Sequence, residues 1–349
     1  MRSLCNLCGL CVAVVVVSTI PITTDTKAPQ IAPRAVSKFQ LFLCNTTHFN
    51  YHRLVNEKLK ILLAYDGSAD ADAAVADLKR AGIGSAAEVL VMTMVDIFMP
   101  PNLSAPDDDT ENLPASVRRA VERAQQKLNE AKSLAKRASE QIKSEFPEWE
   151  VNYEAQADSP AWALIRTADT WQPDLIVMGA RGHSVLGGRL ILGSISQRVL
   201  YEARCTVRIA RVSRKEHDGP VRIFIGVDRS VDSDAAVAAL CKRHWPQGSE
   251  VAVFAVVDTD LDVDSDEVRE VFAPAMQQLR DAGLHAEVLV GQGKPADQIL
   301  EEADTWGADC IFIGAKGNRG IDRLLLGSVS SAVSARADCS VEVVRSKTV

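Results

Sequence analysis

Two segments of the chain carry residues whose types and spacing suit the holding of a phosphate. One reads Gly314-Ala-Lys316-Gly317, then nine residues, then Gly327-Ser328-Val329-Ser330. The other reads Gly179-Ala-Arg181-Gly182, then ten residues, then Gly193-Ser194-Ile195-Ser196. Glycines that leave a strand admit positive φ and let the main chain approach a ligand closely. Successive N–H groups can then form a concave nest for an anion. A Gly-Ser pair opening the next helix adds a cap hydroxyl and the positive end of the helix dipole. Arg181, Arg189, Lys316, Arg319 and Arg323 lie in or beside these loops and could offset phosphate charge. Arg189 and Arg323 could equally face solvent.

Asp66 and Asp228 form a second candidate pair, each just after an apolar run. A carboxylate there can accept from a ribose hydroxyl or a base amino group. The competing reading is a cap for the following helix. That the Asp recurs together with the glycine loop favours the ligand reading. Turnover of a nucleotide would need a positioned base and usually a metal. There is no G-x-x-x-x-G-K-S/T loop, and no acidic pair recurs beside the glycines. His183 follows Gly182, but Asn318 stands in its place in the other segment, so the repeat does not preserve the histidine as a base. Three function classes stay open: a nucleotide-binding regulator, a slow ATPase or nucleotidyl-transfer enzyme on the same site, and a nucleotide-free interaction module whose glycines only shape a loop.

The elements that must position these residues occur twice. Lys60–Ser68 matches Arg222–Ser230 at an offset of 162, which holds through Asp70/Asp232, Asp72/Asp234, Leu78/Leu240 and Asp96/Asp258. From Pro160/Pro295 to Gly182/Gly317 the offset is 135, and after Gly193/Gly327 it is 134. Of the fifteen positions 168–182 compared with 303–317, nine are identical. Copy one thus carries 27 extra residues between Asp96 and Pro160, and one more in its glycine segment near Gly187-Gly188.

In copy two the apolar runs Val221–Val227, Glu250–Val257, Ala286–Val290, Asp309–Ile313 and Ser340–Val344 read as strands covered on both faces. Asp234–His244 and Ala296–Thr305 read as helices between them. Strands alternating with helices imply βαβ units. The expected fold class is α/β: two repeated doubly wound domains, each a five-stranded parallel sheet of order 3-2-1-4-5 with helices on both faces. Ligands of such sheets bind beyond the carboxyl ends of the strands at the switch point. The extra residues of copy one read as a loop around Pro100-Pro101 and Asp107–Asp109, then one long helix, Ala115–Phe146. Its apolar stripe is Val117, Val121, Ala124, Leu128, Ala131, Leu134, Ala138 and Ile142. Its charges suit a solvated face, with a partner surface as the alternative.

With 349 residues, 47% of them apolar and 24% charged, the chain has the composition of a folded protein of about two domains. Disorder throughout and a multi-span membrane protein are excluded. The net charge of −7 argues against bulk attraction to nucleic acid. Residues 1–57 differ from the rest, with five basic and two acidic groups. They contain an uncharged stretch around Leu7–Val17 that resembles a secretory signal. Alternatives are an anchor and a start assigned too far upstream. Cys5, Cys8 and Cys11 have a spacing that can ligate a cluster, but a fourth ligand is missing. The expected division is a leader 1–56, a first domain 57–212, a linker 213–219 and a second domain 220–349.

These residues bring out a resemblance to tandem universal stress proteins. The family motif is G-x-x-G, nine residues, then G-S/T, which copy two matches at Gly314, Gly317, Gly327 and Ser328. Copy one matches with one residue too many. The Asp after the first strand and the Pro before the third helix (Pro160, Pro295) also fit; Cys205-Thr-Val and Cys339-Ser-Val depart mildly from the usual Cys-Pro-Val.

The resemblance implies stress-response regulation through an adenine nucleotide, ATP or else ADP or AMP, with or without Mg, and weak hydrolysis at most. It implies a second-domain site of Asp228, Val256, Gly314, Lys316, Gly317, Asn318, Gly327, Ser328, Val329 and Ser330. The first-domain set is Asp66, Met94, Gly179, Arg181, Gly182, His183, Gly193, Ser194, Ile195 and Ser196. No catalytic residue or metal site is implied. Pairing of the two domains through their last strands is implied, with a homodimer left open and no stable membrane span. The expected location is the cytoplasm, or outside it if residues 1–25 are a true signal. Cys205 and Cys339 are expected to be packing groups.

Overall fold

The first strand, β1 (Leu59–Ala64), ends in four consecutive buried residues and turns through Asp66-Gly67-Ser68 into α1 (Ala69–Asp77). The Ser68 hydroxyl accepts from the Ala71 N–H at 3.2 Å and starts the helix, with Asp70 and Asp72 in its positive first turn. The second half repeats this unit. Its β6 (Arg222–Gly226) leads through Asp228-Arg229-Ser230 into α5 (Val231–Cys241), where Ser230 accepts from the Ser233 N–H at 3.2 Å. The turn needs a left-handed residue at its centre, with φ 78° at Gly67 and 62° at Arg229.

The first half continues with β2 (Ala87–Val95), α2 (Ala115–Glu145), β3 (Glu150–Ala157), α3 (Pro160–Trp171), β4 (Leu175–Gly179), α4 (Ser194–Glu202) and β5 (Thr206–Ala210). The second has β7 (Glu250–Val257), α6 (Asp266–Asp281), β8 (His285–Gln292), α7 (Pro295–Trp306), β9 (Cys310–Gly314), α8 (Ser328–Arg336) and β10 (Ser340–Val344). This computed structural model describes residues 58–97, 114–181, 192–212, 219–257, 266–317 and 326–346. The leader 1–56, the loop around Pro100-Pro101 and Asp107–Asp109, and most of the linker lie outside the described residues. All the described residues belong to one unit, Arg53–Val349.

The ten strands of the described residues form one sheet of order β3-β2-β1-β4-β5-β10-β9-β6-β7-β8. Each half has the expected order 3-2-1-4-5, and pairing is parallel within each half. Between the halves, β5 and β10 pair antiparallel. One buried cluster crosses this seam, joining Leu62, Val207 and Ile209 to Phe224, Val341 and Val343. The opposite face has a separate cluster in each half. Cys205 and Cys339 are partly buried and pack against the shared cluster.

Two expectations needed adjustment. The outermost strands β3 and β8 are exposed at half their residues, because a sheet edge has a neighbour on one side only. The stripe of α2 is buried at Ala124, Ala131, Ala138 and Ile142, joined by Ala135 and Ser139, whereas Val117 is exposed. Only the later turns of that long helix lie over the sheet.

Candidate functional site

The site candidates gather at the carboxyl ends of β6 and β9, adjacent strands whose chains depart in opposite directions along the sheet. Asp228 Oδ1 accepts from the Ser230 N–H at 3.0 Å, and the Asp228 N–H donates to Ser233 Oγ at 3.2 Å. The cap of α5 is therefore Ser230, and the aspartate braces the turn that presents this cap. Neither reading of the aspartate from sequence had separated these roles. Asp66 does the same in the first half, accepting from the Ser68 N–H at 3.0 Å. The repeated Asp-x-Ser triplet was the signal available.

Ser230 also ties the two loops together, donating its hydroxyl to the Lys316 carbonyl at 2.9 Å. Gly317 lies directly against the aspartate: a Cβ there would stand 2.4 Å from Asp228 Oδ2. The glycine before it has a different task. A Cβ on Gly314 would meet the Asp232 carbonyl carbon and the Ser233 nitrogen at 2.6 Å, and one on Gly179 would meet the Asp70 oxygen at 2.5 Å. These two glycines let the β9 and β4 ends touch the first turn of α5 and α1. This corrects the sequence reading: Gly179, Gly193, Gly314, Gly317 and Gly327 are not among the residues of positive φ. Gly179, Gly314, Gly317 and Gly327 serve close approach, not left-handed backbone.

The loops then return to helices α4 and α8. Gly193 N–H donates to the Ala180 carbonyl at 2.9 Å and Gly327 N–H to the Ala315 carbonyl at 2.8 Å. Gly193 and Gly327 themselves occupy the cap positions, and no side chain caps either helix. The expected cap hydroxyl is thus absent: Ser194 and Ser328 are exposed residues of the first turn. Ile195 and Val329 pack against the shared core. Ser196 and Ser330 are buried and donate to the carbonyls of Gly179 at 2.9 Å and Ala315 at 2.7 Å. Met94 and Val256, on the neighbouring strands β2 and β7, are partly buried against the same core. Asn318, Gly182, His183, Arg189, Arg319, Arg323 and Gly187-Gly188 lie outside the described residues.

In the first half an ion pair ties the glycine loop to α1. Arg181 Nε donates to Asp70 Oδ2 at 3.2 Å, so that guanidinium already has a carboxylate partner. In the first half Tyr65 donates to Asp72 Oδ1 at 2.6 Å, where the second half has Val227. Burial, then the Asp72 bond and charge, push the Tyr65 phenol up to about 12. In the second half, desolvation and then the negative Asp228 raise the Asp234 carboxyl above its ordinary value. Among the described residues no group of His, Cys, Asp and Glu is arranged to hold a metal ion. No helix of the described residues is long and apolar enough to cross a membrane.

The model of the universal stress protein family matches residues 59–211 and 221–345. The chain belongs to that family, as a tandem of two such domains. It is 27% identical over 312 residues to a universal stress protein of Mycolicibacterium smegmatis, covering 82% of this chain and 96% of that one. A universal stress protein structure from Archaeoglobus fulgidus superposes with a TM-score of 0.55 at 21% identity, covering 82% of this chain and 96% of that chain. The family includes nucleotide-binding members. One universal stress protein solved in complex with cAMP matches at 23% identity and a TM-score of 0.29, covering 36% of this chain and 97% of that one.

Proposed function

We propose that the chain is a stress-response regulator that binds an adenine nucleotide, ATP, through domains 57–212 and 220–349, with the second-half site the tighter. The observation that carries this reading is that α4 and α8 start at the ends of the glycine loops without a side-chain cap. Helices α1 and α5 are capped by their own serines, whereas α4 and α8 begin at a glycine with no side-chain cap. The first N–H groups of a helix have no acceptor within it. At α8 these groups belong to Ser328, Val329 and Ser330, beside the glycine loop and the Asp228 carboxylate. A phosphate would accept from them, with Asp228 taking a ribose or base donor. Gly314, Lys316, Gly317, Asn318, Gly327 and Val256 complete the proposed second site. Asp66, Met94, Gly179, Arg181, Gly182, His183 and Gly193–Ser196 form the first.

The first site has one handicap, the extra residue in its loop. One observation supports a second reading, the nucleotide-free module: Gly179 and Gly314 have a packing reason for being glycine. Calorimetric titration of the full chain with ATP, and with cAMP in parallel, separates the two. Saturable binding of ATP is expected. Absence of heat and of any thermal shift at millimolar nucleotide would overturn the proposal.

A further inference from the structure

The seam between the halves contains a buried chain of charges that its pseudo-symmetry does not require. In the antiparallel register Val341 faces Ile209, Glu342 faces Arg208 and Val343 faces Val207. Position 341 of the repeat corresponds to 207, 342 to 208 and 343 to 209. The pseudo-two-fold axis therefore passes through the Arg208–Glu342 pair, and a residue at this position meets its own counterpart. Both side chains are fully buried.

Around the axis the charges alternate. Asp77, at the end of α1, holds Arg208 through two bonds of 2.5 and 3.1 Å. Arg208 Nη1 donates across the seam to Glu342 Oε2 at 3.1 Å. Glu342 Oε1 accepts from Arg243 Nη2 at 2.5 Å. Ser340 Oγ adds a bond to Asp77 Oδ1 at 2.9 Å, and Arg243 Nη1 reaches the Ala81 carbonyl at 3.2 Å. None of the four charges is repeated, since Asp77 corresponds to Ala239 and Arg243 to Ala81.

A second set of contacts at the seam does obey the symmetry. Arg211 donates to the Ser334 and Ala335 carbonyls of α8 at 2.5 and 3.3 Å. Arg345, its counterpart, donates to the equivalent Leu200 and Tyr201 carbonyls of α4 at 2.8 and 3.3 Å. This reciprocal clasp would form in any pairing of halves. The charge chain would not. Two first halves would line up as minus, plus, plus, minus, with two guanidiniums on the axis. Two second halves would give plus, minus, minus, plus. Net charge is zero in every case, so the order of the charges alone discriminates. Like charges directly opposite in a strand pair are unfavourable, and more so without water.

We infer that Arg208 and Glu342, flanked by Asp77 and Arg243, make this seam selective for one partner: a first half accepts a second half of this chain and rejects another first half. Specificity of this kind rests on penalising the wrong pairing as well as rewarding the right one. An isologous interface between identical halves would carry the opposite pattern, with self-compatible residues on its axis.

The test uses full-length chains. Arg208→Gln leaves the seam a surplus negative charge and Glu342→Gln a surplus positive one. Each variant is unfolded and refolded alone and as an equal mixture, one of them isotopically heavy, and analysed by light scattering and native mass spectrometry. Exchange of halves restores one complete charge chain and leaves the other seam neutral. The mixture is therefore expected to yield a two-chain species with one copy of each variant, enriched about tenfold or more over either homodimer. The reversal pair Arg208→Glu and Glu342→Arg should show the same preference more strongly. Arg211→Gln mixed with Arg345→Gln should show none, because each exchange gains one clasp and loses one. A mixture that behaves as the sum of its parts, in mass and in solubility, overturns the inference. So does an equal preference in the Arg211 and Arg345 pair.

Discussion

Gly317→Ala is a small change that should act at a distance of one side chain. The added methyl would lie 2.4 Å from Asp228 Oδ2, while the Asp228 Cγ is 3.7 Å away. Only the carboxylate oxygen is in the way, so the side chain swings and the loop stays. The swing breaks the Oδ1 bond to the Ser230 N–H, for about 1 kcal/mol of stability. It also removes the carboxylate from the place where it would accept a ribose or base donor. A hydrogen bond to a charged group is worth about 1.5–3 kcal/mol, so ATP affinity should fall about 10- to 150-fold. Calorimetry on a double-mutant cycle with Asp228→Ala tests the route. In the Asp228→Ala background the methyl meets nothing, and Gly317→Ala should cost almost no further affinity. Additive losses would refute this reasoning, because Gly317 would then contact the ligand itself. Unfolding of Asp228→Ala would show instead that the turn, not the ligand, needs the carboxylate.

Valine at Gly317 or Gly327 should weaken ATP binding more than valine at Gly182 or Gly193, as measured by calorimetry; equal losses would remove the ranking of the two sites. Ser330→Ala strips a buried hydroxyl from the Ala315 carbonyl and should cost about 1–2 kcal/mol in urea unfolding. Ser328→Ala, on the exposed first turn, should leave stability unchanged within about 0.5 kcal/mol. Tyr65, with its phenol raised from 10.0 to about 12, binds its proton more tightly folded than unfolded. Its contribution to stability is complete below pH 10 and is lost as the pH climbs toward about 12. Tyr65→Phe should flatten the alkaline limb of the stability profile in that window, and an unchanged difference between the two proteins would contradict the raised phenol, which burial and then the Asp72 contact produce.

Much of the candidate site was legible in sequence because its pieces are local. Asp228-Arg229-Ser230 is one turn, Gly314 to Gly317 one strand exit and Gly327 to Ser330 one helix start, so spacing alone grouped them. The repeat made the grouping firm, since each group returns with the same order of elements around it. What local pattern could not distinguish was the reason for each glycine. Gly314 and Gly317 look equivalent in a G-x-x-G motif. One abuts the backbone of Asp232 and Ser233 and the other a carboxylate of Asp228, and both neighbours lie more than 80 residues away.

The amino-acid sequence by itself determined that a five-strand α/β unit occurs twice and that both copies present an aspartate and a glycine loop. Periodicity and spacing carry that information residue by residue. Only the tertiary structure decided that the copies share one ten-stranded sheet, and that Arg208 and Glu342 meet at its centre. The reason is physical: an ion pair between residues so far apart in the chain depends on strand register, and register is set when the apolar faces of β5 and β10 join one core. In sequence Arg208 is a lone charge in an apolar strand; in the folded chain it is the middle of an alternating row.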